Sequence, residues 1–313
     1  MLILLGFFFG IGYWTAAAIH RHEECGESYR WLNQQLLCAG QPVISKAAYI
    51  GLRSELLETI SNLQKDGKVG DVALFFRDLQ NGPTFNINEH EGFVPASLLK
   101  VPLMLTYLRL ADDDPSLLSR ELVFQGRSDN FTQTFPPKEA LIAGRSYSLD
   151  DLLFRLVAYS DNDAWELLYN YLRQISPDFD LLKETYHELG IIEPEDSADA
   201  IITVKSYASI FRILYNASYL SKENSDKALQ YLAKSQFATG LREGVPQSIE
   251  IAHKFGERFT EDKMQLHDCG VVYYPQNPYL LCVMTEGRDF GDLSLTISLI
   301  SEAVYEEVDS RRN

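Results

Sequence analysis

Strand patterns lie at the two ends of this sequence, and a long helical stretch separates them. Strand-like runs occupy residues 71–93, where Asn81-Gly82 is typical of a hairpin turn, and residues 248–287. Residues 97–235 between them have the apolar spacing of helices, with breaks at prolines. Strands at both ends can bury their apolar faces together in one sheet. The sequence therefore predicts an α+β fold: an antiparallel sheet built from N- and C-terminal strands, flanked by helices, together with an all-α region.

The chain is long enough for one large domain. Of its 313 residues, 46% are hydrophobic, which supports a sizeable core. Helical patterns at residues 45–67 and from about Asp292 to Val308 extend this domain beyond the strands. We predict a globular domain over residues 44–310, preceded by a connector over residues 20–43 and an apolar segment over residues 1–19.

The apolar segment at residues 1–19 carries no charged residue. As a helix it would extend about 28 Å, which is close to the hydrocarbon thickness of a bilayer. Two interpretations remain open. The segment is a retained membrane anchor, or it is a signal peptide cleaved after Ala16-Ala17-Ala18. Arg21 follows the segment and no basic residue precedes it, and this charge pattern alone does not define the orientation.

Four cysteines form two local pairs along the sequence. Cys25 and Cys38 follow the apolar segment, and Cys269 and Cys282 flank a hairpin-like stretch with two prolines. Local pairs are typical of an oxidising compartment, although four cysteines allow three connectivities.

The register of the C-terminal hairpin decides whether its two cysteines can bond. A ladder that pairs Tyr274 with Tyr279 places Cys269 diagonal to Cys282, which is a marginal geometry for a disulfide without a bulge. Buried free thiols on a core strand are the alternative for this pair.

The charge of the chain limits its partners. A formal net charge of −16 argues against nucleic acid, because phosphate backbones are bound by clustered Lys and Arg. The sequence contains no P-loop and no glycine-rich dinucleotide pattern after a strand. Its six histidines lack the spacing of metal ligands. We therefore expect no nucleic-acid partner, no metal and no cofactor. We also expect a monomer.

The stretch "FVPASLLKVP" places a serine and a lysine at the start of an apolar helix. Ser97 and Lys100 are one turn apart, so they share a helix face and their polar atoms can meet. A serine hydroxyl becomes a good nucleophile when a nearby base takes its proton, and a desolvated lysine can be that base. The pair is therefore either two polar residues in an otherwise apolar core helix or a nucleophile beside its base.

Two further polar features interrupt apolar elements. Ser160-Asp161-Asn162 stands between two helical runs and, taken alone, indicates an N-cap. Lys254 lies in the strand "IEIAHKFGE", where a lysine is typical of a strand edge. Gly256, two residues later, allows another group to approach the backbone closely.

Ser-x-x-Lys at a helix start, Ser-Asp-Asn between two helices and Lys-x-Gly on a strand occur here in that order. This set resembles the motifs of the penicillin-recognising serine acyl-transferases, and above all of the class A β-lactamase catalytic domain. The resemblance covers about residues 45–308. It implies a serine hydrolase that forms an acyl-enzyme on Ser97 and stabilises the oxyanion with the backbone N–H groups of Ser97 and Glu257.

The resemblance also implies roles for the other polar residues. Lys100 is the base that takes the serine proton. Ser160 passes a proton to the leaving nitrogen, and Asn162 contacts the substrate amide. Lys254 supports Ser160 and attracts a substrate carboxylate.

The sequence departs from the class A pattern at two places. The third motif of the family has Thr or Ser where this chain has Phe255, and a phenyl ring cannot donate a hydrogen bond to a substrate carboxylate. The deacylating glutamate of the family lies in an E-P-E-L-N pattern, whereas this chain has "EPEDS" from Glu193 onward. Glu193 is the candidate base for deacylation, and a surface acidic loop is the alternative.

Three functions remain open. The leading one is a class A β-lactamase-type serine hydrolase whose deacylation is slow. The second is a peptidoglycan D,D-carboxypeptidase or a similar penicillin-binding acyl-transferase. The third is a non-catalytic binding module, and the presence of Ser97, Lys100, Ser160 and Lys254 argues against it. We expect a small β-lactam or a peptidoglycan-type peptide as substrate. We expect the domain at the extracytoplasmic face of the cell membrane, or secreted or periplasmic if residues 1–19 are cleaved.

Overall fold

The fold is that of a computed structural model, which describes residues 29–34, 49–80, 82–127, 135–191, 201–260 and 262–311. The predicted apolar segment at residues 1–19, Cys25, Cys38 and Glu193 lie outside these residues. Within the described ranges, no helix is both long enough and apolar enough to cross a bilayer.

Nine strands and eight α-helices make up the described part of the chain. The strands are β1 (Asp71–Asp78), β2 (Thr84–Ile87), β3 (Gly92–Phe93), β4 (Glu121–Val123), β5 (Ser146–Ser148), β6 (Ile202–Thr203), β7 (Ile251–Phe259), β8 (Met264–Val272) and β9 (Tyr279–Gly287). The helices are α1 (Ile50–Lys65), α2 (Lys100–Asp113), α3 (Leu149–Ala158), α4 (Asn162–Ile175), α5 (Leu181–Leu189), α6 (Val204–Tyr215), α7 (Lys222–Leu232) and α8 (Phe290–Ser310). Short 3₁₀ helices occupy Ala96–Leu99, Pro115–Ser119 and Gly240–Arg242.

One antiparallel sheet joins the two ends of the domain. Its five strands lie in the order β2-β1-β9-β8-β7. The N-terminal strand β1 pairs along its whole length with β9, from Asp71 opposite Glu286 to Asp78 opposite Tyr279. The predicted α+β class, with a sheet built from both ends of the domain, is confirmed. Since β7 pairs only with β8 among the described strands, one edge of β7 is open to other groups.

The sheet is buried on both faces, and each face belongs to a different core. Val72, Leu74 and Phe76 of β1 pack in the cluster that contains the side chains of α1 and α8. Ala73 and Phe75, which point to the other face, pack in the cluster of the helices from the middle of the chain. Fully burying one such Leu or Phe side chain contributes about 1.5–3 kcal/mol. This two-sided burial explains why β1 reads as a continuous apolar run.

The C-terminal hairpin has a different register from the one that pairs Tyr274 with Tyr279. Val272 is opposite Tyr279, and the residues between them form the loop. This register places Cys269 directly opposite Cys282, and a disulfide joins them. The loop is longer because its two prolines cannot donate ladder hydrogen bonds. The alternative of free thiols is therefore wrong for this pair.

The middle of the chain also contains two short ladders that the helical pattern did not indicate. β3 pairs with β6, and β4 pairs with β5. The former consists of only two residue pairs, Gly92 with Thr203 and Phe93 with Ile202. Strands this short leave no periodic signal in a sequence. The β3–β6 ladder ties the segment before Ser97 to the start of α6.

Candidate active site

Ser97 lies in a short 3₁₀ turn next to a residue with an unusual backbone conformation. It belongs to the 3₁₀ helix Ala96–Leu99, and α2 begins immediately afterwards at Lys100. Ala96 has a φ of 48°, a left-handed conformation that is uncommon for a residue with a side chain. Such strain costs on the order of 1–3 kcal/mol and is concentrated at functional sites. The half-buried Ser97 hydroxyl makes no hydrogen bond to any residue that the structure describes.

Gly256 brings strand β7 against this serine segment. A Cβ atom at Gly256 would lie 2.8 Å from the carbonyl oxygen of Pro95 and 3.1 Å from the amide nitrogen of Leu98. Only glycine allows such a close approach of two backbones. The glycine of the Lys-x-Gly motif therefore sets the separation between β7 and the 3₁₀ helix. It also places the next residue, Glu257, at the strand position for which the resemblance implies an oxyanion donor.

Two side chains of β8 hold the residue that leads into the serine segment. Gln265 Oε1 accepts a hydrogen bond from the amide of Val94 at 3.0 Å. His267 Nε2 lies 3.1 Å from the carbonyl oxygen of Val94. Burial lowers the pKa of His267 to about 4, so the ring is neutral and donates this hydrogen bond through Nε2–H. Neither residue is among those predicted from the sequence, although polar side chains that alternate along an apolar strand are the signal that marks them.

Lys100 points to the Ser160-Asp161-Asn162 turn. Its Nζ donates to Asn162 Oδ1 at 2.6 Å, to the Ser160 carbonyl and, at 3.2 Å, to Ser160 Oγ. The side chain is buried, and this burial lowers the pKa of Lys100 to about 7. Nearby Asp161 and Glu257 oppose the shift without cancelling it. A substantial fraction of this amine is therefore neutral near pH 7 and able to accept a proton.

Lys254 reaches the same serine from the sheet. Its Nζ donates to Ser160 Oγ at 2.9 Å and to its neighbour's carbonyl, that of Phe255, at 2.7 Å. The side chain is fully buried. Burial, together with the charge of Lys100, holds the pKa of Lys254 well below its usual value. The lysine is thus an interior residue and not the solvent-facing edge residue that a lone strand lysine indicates.

The Ser160-Asp161-Asn162 turn is both a helix cap and a part of the candidate site. Asp161 is the N-cap of α4, and its carboxylate accepts hydrogen bonds from the amides of Asp163 at 2.8 Å and Ala164 at 3.2 Å. Ser160 has a φ of 52°, and this left-handed conformation lets the chain reverse between α3 and α4. The cap therefore fixes the turn, while its neighbours Ser160 and Asn162 face Lys100.

Three of the predicted catalytic side chains, those of Lys100, Ser160 and Lys254, are thus brought together. Ser160 Oγ lies between the amines of Lys100 and Lys254, and Gly256 holds the segment of Ser97 next to β7. Ser97 and Lys100, whose polar atoms can meet across one helical turn, are not joined by a hydrogen bond in the described part of the chain. Among the described residues, no group of three His, Cys, Asp or Glu side chains could hold a metal ion.

The sequence of this chain matches a known protein family. A family model described as the β-lactamase enzyme family covers residues 55–308. The chain belongs to the β-lactamase enzyme family. This family member is a β-lactamase-like serine hydrolase, as the order of its motifs predicts. Among curated proteins, none matches its sequence.

Solved structures of low identity share the fold of this β-lactamase family member. A β-lactamase from Chitinophaga pinensis is 20% identical with a TM-score of 0.69, and the match covers 82% of this chain and 99% of that one. PBP-A is 18% identical with a TM-score of 0.70, covering 86% and 100%. A PBP-A mutant, described as an acyl-enzyme complex with penicillin G, is 19% identical with a TM-score of 0.68, covering 83% and 97%.

Phe255 is the residue at which the site of this β-lactamase family member differs most from the family motif. Its ring is buried on the face of β7 that packs against α8, and it stacks on Phe237 with a centroid distance of 4.2 Å. Strand alternation directs Lys254 and Gly256 to the opposite face at the backbone, and the long Lys254 side chain brings its Nζ to 4.2 Å from the centroid of the Phe255 ring. No hydroxyl stands at this position. The resemblance assigned carboxylate binding to such a hydroxyl.

Proposed function

We propose that this enzyme forms an acyl-enzyme on Ser97 with a β-lactam or a related amide, and that it hydrolyses this intermediate slowly. The observation that carries the proposal is the position of Ser160 Oγ, 3.2 Å from Lys100 Nζ and 2.9 Å from Lys254 Nζ. Two buried lysines beside one hydroxyl form a path for protons. Ser97, whose hydroxyl makes no hydrogen bond to a described residue, precedes Lys100 by one helical turn.

Acylation requires two proton transfers: one proton leaves Ser97, and another reaches the leaving nitrogen. Ser97 Oγ attacks the amide carbonyl carbon, and its proton passes to neutral Lys100 directly or through Ser160. The carbonyl oxygen becomes an oxyanion, which the backbone N–H groups of Ser97 and Glu257 stabilise. The C–N bond then breaks, and the nitrogen takes a proton from Ser160 Oγ, which is reprotonated from the lysines. The products of this step are an ester on Ser97 and an amine, which stays attached to the acyl group when the substrate is a β-lactam, so the protons balance.

Release of the acyl group requires a second base. Water must be deprotonated as it attacks the ester, and Lys100 is held by Ser160 and Asn162. Glu193 is the candidate for this base, and the "EPEDS" sequence around it lacks the Leu-Asn of the class A pattern. This departure supports slow deacylation. The similarity to a PBP-A mutant described as an acyl-enzyme complex favours a penicillin-binding acyl-transferase as the second candidate.

Intact-protein mass spectrometry tests the proposal. The wild type, incubated with penicillin G, should gain the mass of one whole penicillin molecule, and the adduct should map to Ser97. Ser97→Ala should remain folded and unlabelled. Ser310→Ala, which removes an exposed hydroxyl at the end of α8, should label like the wild type. Labelling of Ser97→Ala, or labelling of the wild type at another residue, would contradict the proposal.

We also propose that the domain acts at the extracytoplasmic face of the membrane or as a secreted or periplasmic enzyme. The disulfide between Cys269 and Cys282 supports an oxidising compartment. Protease accessibility of intact cells compared with lysed cells would test this location. Protection of the domain in both whole cells and cells with a permeabilised outer envelope would contradict it.

A further inference from the structure

We propose that the substrate of this enzyme carries an uncharged aromatic or apolar group at the position where a penicillin carries its carboxylate. This inference rests on the proposed function and concerns the substrate end of the site next to Lys254. A phenyl cluster occupies that end. We define the phenyl cluster as Phe135, Phe237, Phe255 and Phe290.

The rings of the phenyl cluster are in mutual contact. Phe255 stacks on Phe237 at a centroid distance of 4.2 Å and an interplanar angle of 13°. Phe135 presents its edge to both rings, at 5.5 Å from Phe255 and 5.6 Å from Phe237. Phe290 lies 4.9 Å from Phe135. Edge-to-face and offset pairs of this kind are the favourable geometries for aromatic rings.

The phenyl cluster begins at a catalytic residue and ends at the surface. Lys254 Nζ lies 4.2 Å from the centroid of the Phe255 ring. Phe255 and Phe237 are almost completely buried, whereas Phe135 and Phe290 are half-buried. Partly exposed rings adjoining a buried base offer an apolar surface to a ligand in the site.

The four rings come from separate parts of the chain and pack in or against one core cluster, the one that contains the side chains of α1 and α8. Phe135 belongs to the segment between β4 and β5, Phe255 belongs to β7, and Phe290 is the first residue of α8. Lys254, whose Nζ lies 4.2 Å from the centroid of the Phe255 ring, donates a hydrogen bond to Ser160 between α3 and α4. The cluster therefore adjoins the Lys254 end of the candidate site.

The charges on this side of β7 do not favour a carboxylate. Asp268 is the register partner of Phe255 on β8. It is fully buried, lies 2.9 Å from His253 Nδ1 and accepts the Leu241 amide at 3.0 Å. A carboxylate brought next to Phe255 would lie near this acidic residue and meet a ring that has no donor.

Two cations of this region, Arg242 and Lys254, are already engaged by other groups. Arg242 uses its guanidinium on backbone carbonyls, including that of Val245 at 3.0 Å. Lys254 is engaged by Ser160 and by the carbonyl of Phe255. Desolvating a carboxylate without new donors is costly, whereas an aromatic group gains contact with the half-buried rings. The substrate class that fits is an amide or lactam flanked by an uncharged aromatic or apolar group.

Benzylpenicillin and its benzyl ester form a pair of probes that differ at this position. Attack of Ser97 on either lactam carbonyl breaks the ring C–N bond and expels nothing, so the adduct carries the whole mass of the probe. Rapid quenching with intact-mass detection gives the acylation rate for each. The ester should acylate Ser97 about tenfold faster than the acid, or more, because a hydrophobic pocket discriminates single groups by factors of this size.

Two charge variants separate a specific role of the cluster from a general effect. Phe135→Lys places a cation at the half-buried rim and should shift the preference towards the free acid by about tenfold. Phe179→Lys makes the same change at an exposed phenylalanine outside the cluster and should leave the preference unchanged. Phe255 is unsuitable for this test because its buried ring supports the core.

The outcomes distinguish this inference from the proposed function. Adducts on Ser97 that form at equal rates, or faster with the acid, would overturn the inference and leave the acyl-enzyme mechanism intact. A preference that Phe135→Lys and Phe179→Lys change equally would also overturn it. Absence of any adduct on Ser97 with both probes would overturn the proposed function, and the inference with it.

Discussion

Lys100 donates a hydrogen bond to Asn162 Oδ1 at 2.6 Å and makes none to Ser97 in the described part of the chain. The amine is therefore oriented by the turn that carries Ser160, although Lys100 and Ser97 are one helical turn apart. Because no hydrogen bond joins Ser97 to Lys100, transfer of the serine proton to this amine requires a side-chain movement or an intermediate group such as Ser160. Catalytic hydrogen bonds of this kind often tighten only when a substrate is bound.

The low pKa of Lys100 predicts the pH dependence of acylation. Burial lowers this pKa from 10.5 to about 7, and only the neutral amine can take the serine proton. The acylation rate should fall about tenfold per pH unit below pH 7 and level off above it. Lys100→Arg should lose acylation at every pH, because a guanidinium keeps its proton. Stopped-flow acylation between pH 5 and 9 measures this, and a flat profile would exclude Lys100 as the base.

The same pKa also predicts a change in stability. Between pH 7 and 10.5, the unfolded chain carries the Lys100 proton and the folded chain does not. The free energy of unfolding should therefore rise with pH across this window, since stability increases wherever the unfolded state binds more protons. Urea unfolding at pH 7 and pH 9 would measure the contribution as the difference between the wild type and Lys100→Met.

Asp161 should affect both stability and acylation, because it caps α4 and fixes the turn between Ser160 and Asn162. Asp161→Ala should lower the free energy of unfolding by about 1 kcal/mol, the usual cost of a lost N-cap, and should slow acylation. Asp161→Asn keeps an acceptor and should cost less. Ser221→Ala removes the N-cap of α7, distant in sequence from the motifs, and serves as the control. It should lose similar stability without slower acylation, and equal slowing in both variants would indicate a global effect.

The sheet and terminal helices could be predicted from the sequence because their patterns are long. The final helix was expected from about Asp292 to Val308 and runs from Phe290 to Ser310. Strand β9 covers the residues expected for it, Tyr279–Gly287. The hairpin register could not be predicted, because it depends on how many loop residues surround the prolines. A shift of this kind changes which cysteines are opposite each other.

The motif residues of the candidate site could be predicted from the sequence. The residues that pack against them and hold them in place could not. Ser-x-x-Lys, Ser-Asp-Asn and Lys-x-Gly are local patterns whose chemistry is evident in residue types. The rings in contact with Phe255 belong to Phe135 and Phe237, which are distant from it in sequence, and no local sequence pattern predicts these contacts. His267 likewise looks like any strand residue until the strand register places it opposite Gly256. Long-range packing decides both cases.

Gly256 should tolerate no side chain. A Cβ atom there would lie 2.8 Å from the Pro95 carbonyl oxygen, which is backbone and cannot move aside without shifting Ser97. Gly256→Ala should destabilise the fold by about 1–3 kcal/mol, the usual cost of overpacking, and should abolish acylation. Gly51→Ala is the matched control, because nothing lies within 4 Å of its added Cβ in α1. That control should keep full acylation and unchanged or slightly higher stability. Normal acylation by Gly256→Ala would contradict the proposed contact between β7 and the serine segment.

The sequence around Glu193 predicts that the acyl-enzyme is released slowly. A deacylating base must hold water near the ester carbonyl, and a displacement of about 1 Å can cost a factor of about a hundred in rate. The residues after Glu193 differ from the class A pattern, and Ser197 stands where its asparagine would be. With a chromogenic cephalosporin, we therefore expect a burst of about one equivalent followed by slow turnover. Glu193→Gln should leave the burst and the slow phase unchanged. Glu195→Gln, a second acid in the same stretch, controls for local charge. Rapid turnover that is lost in Glu193→Gln and retained in Glu195→Gln would contradict slow deacylation and identify Glu193 as an efficient base.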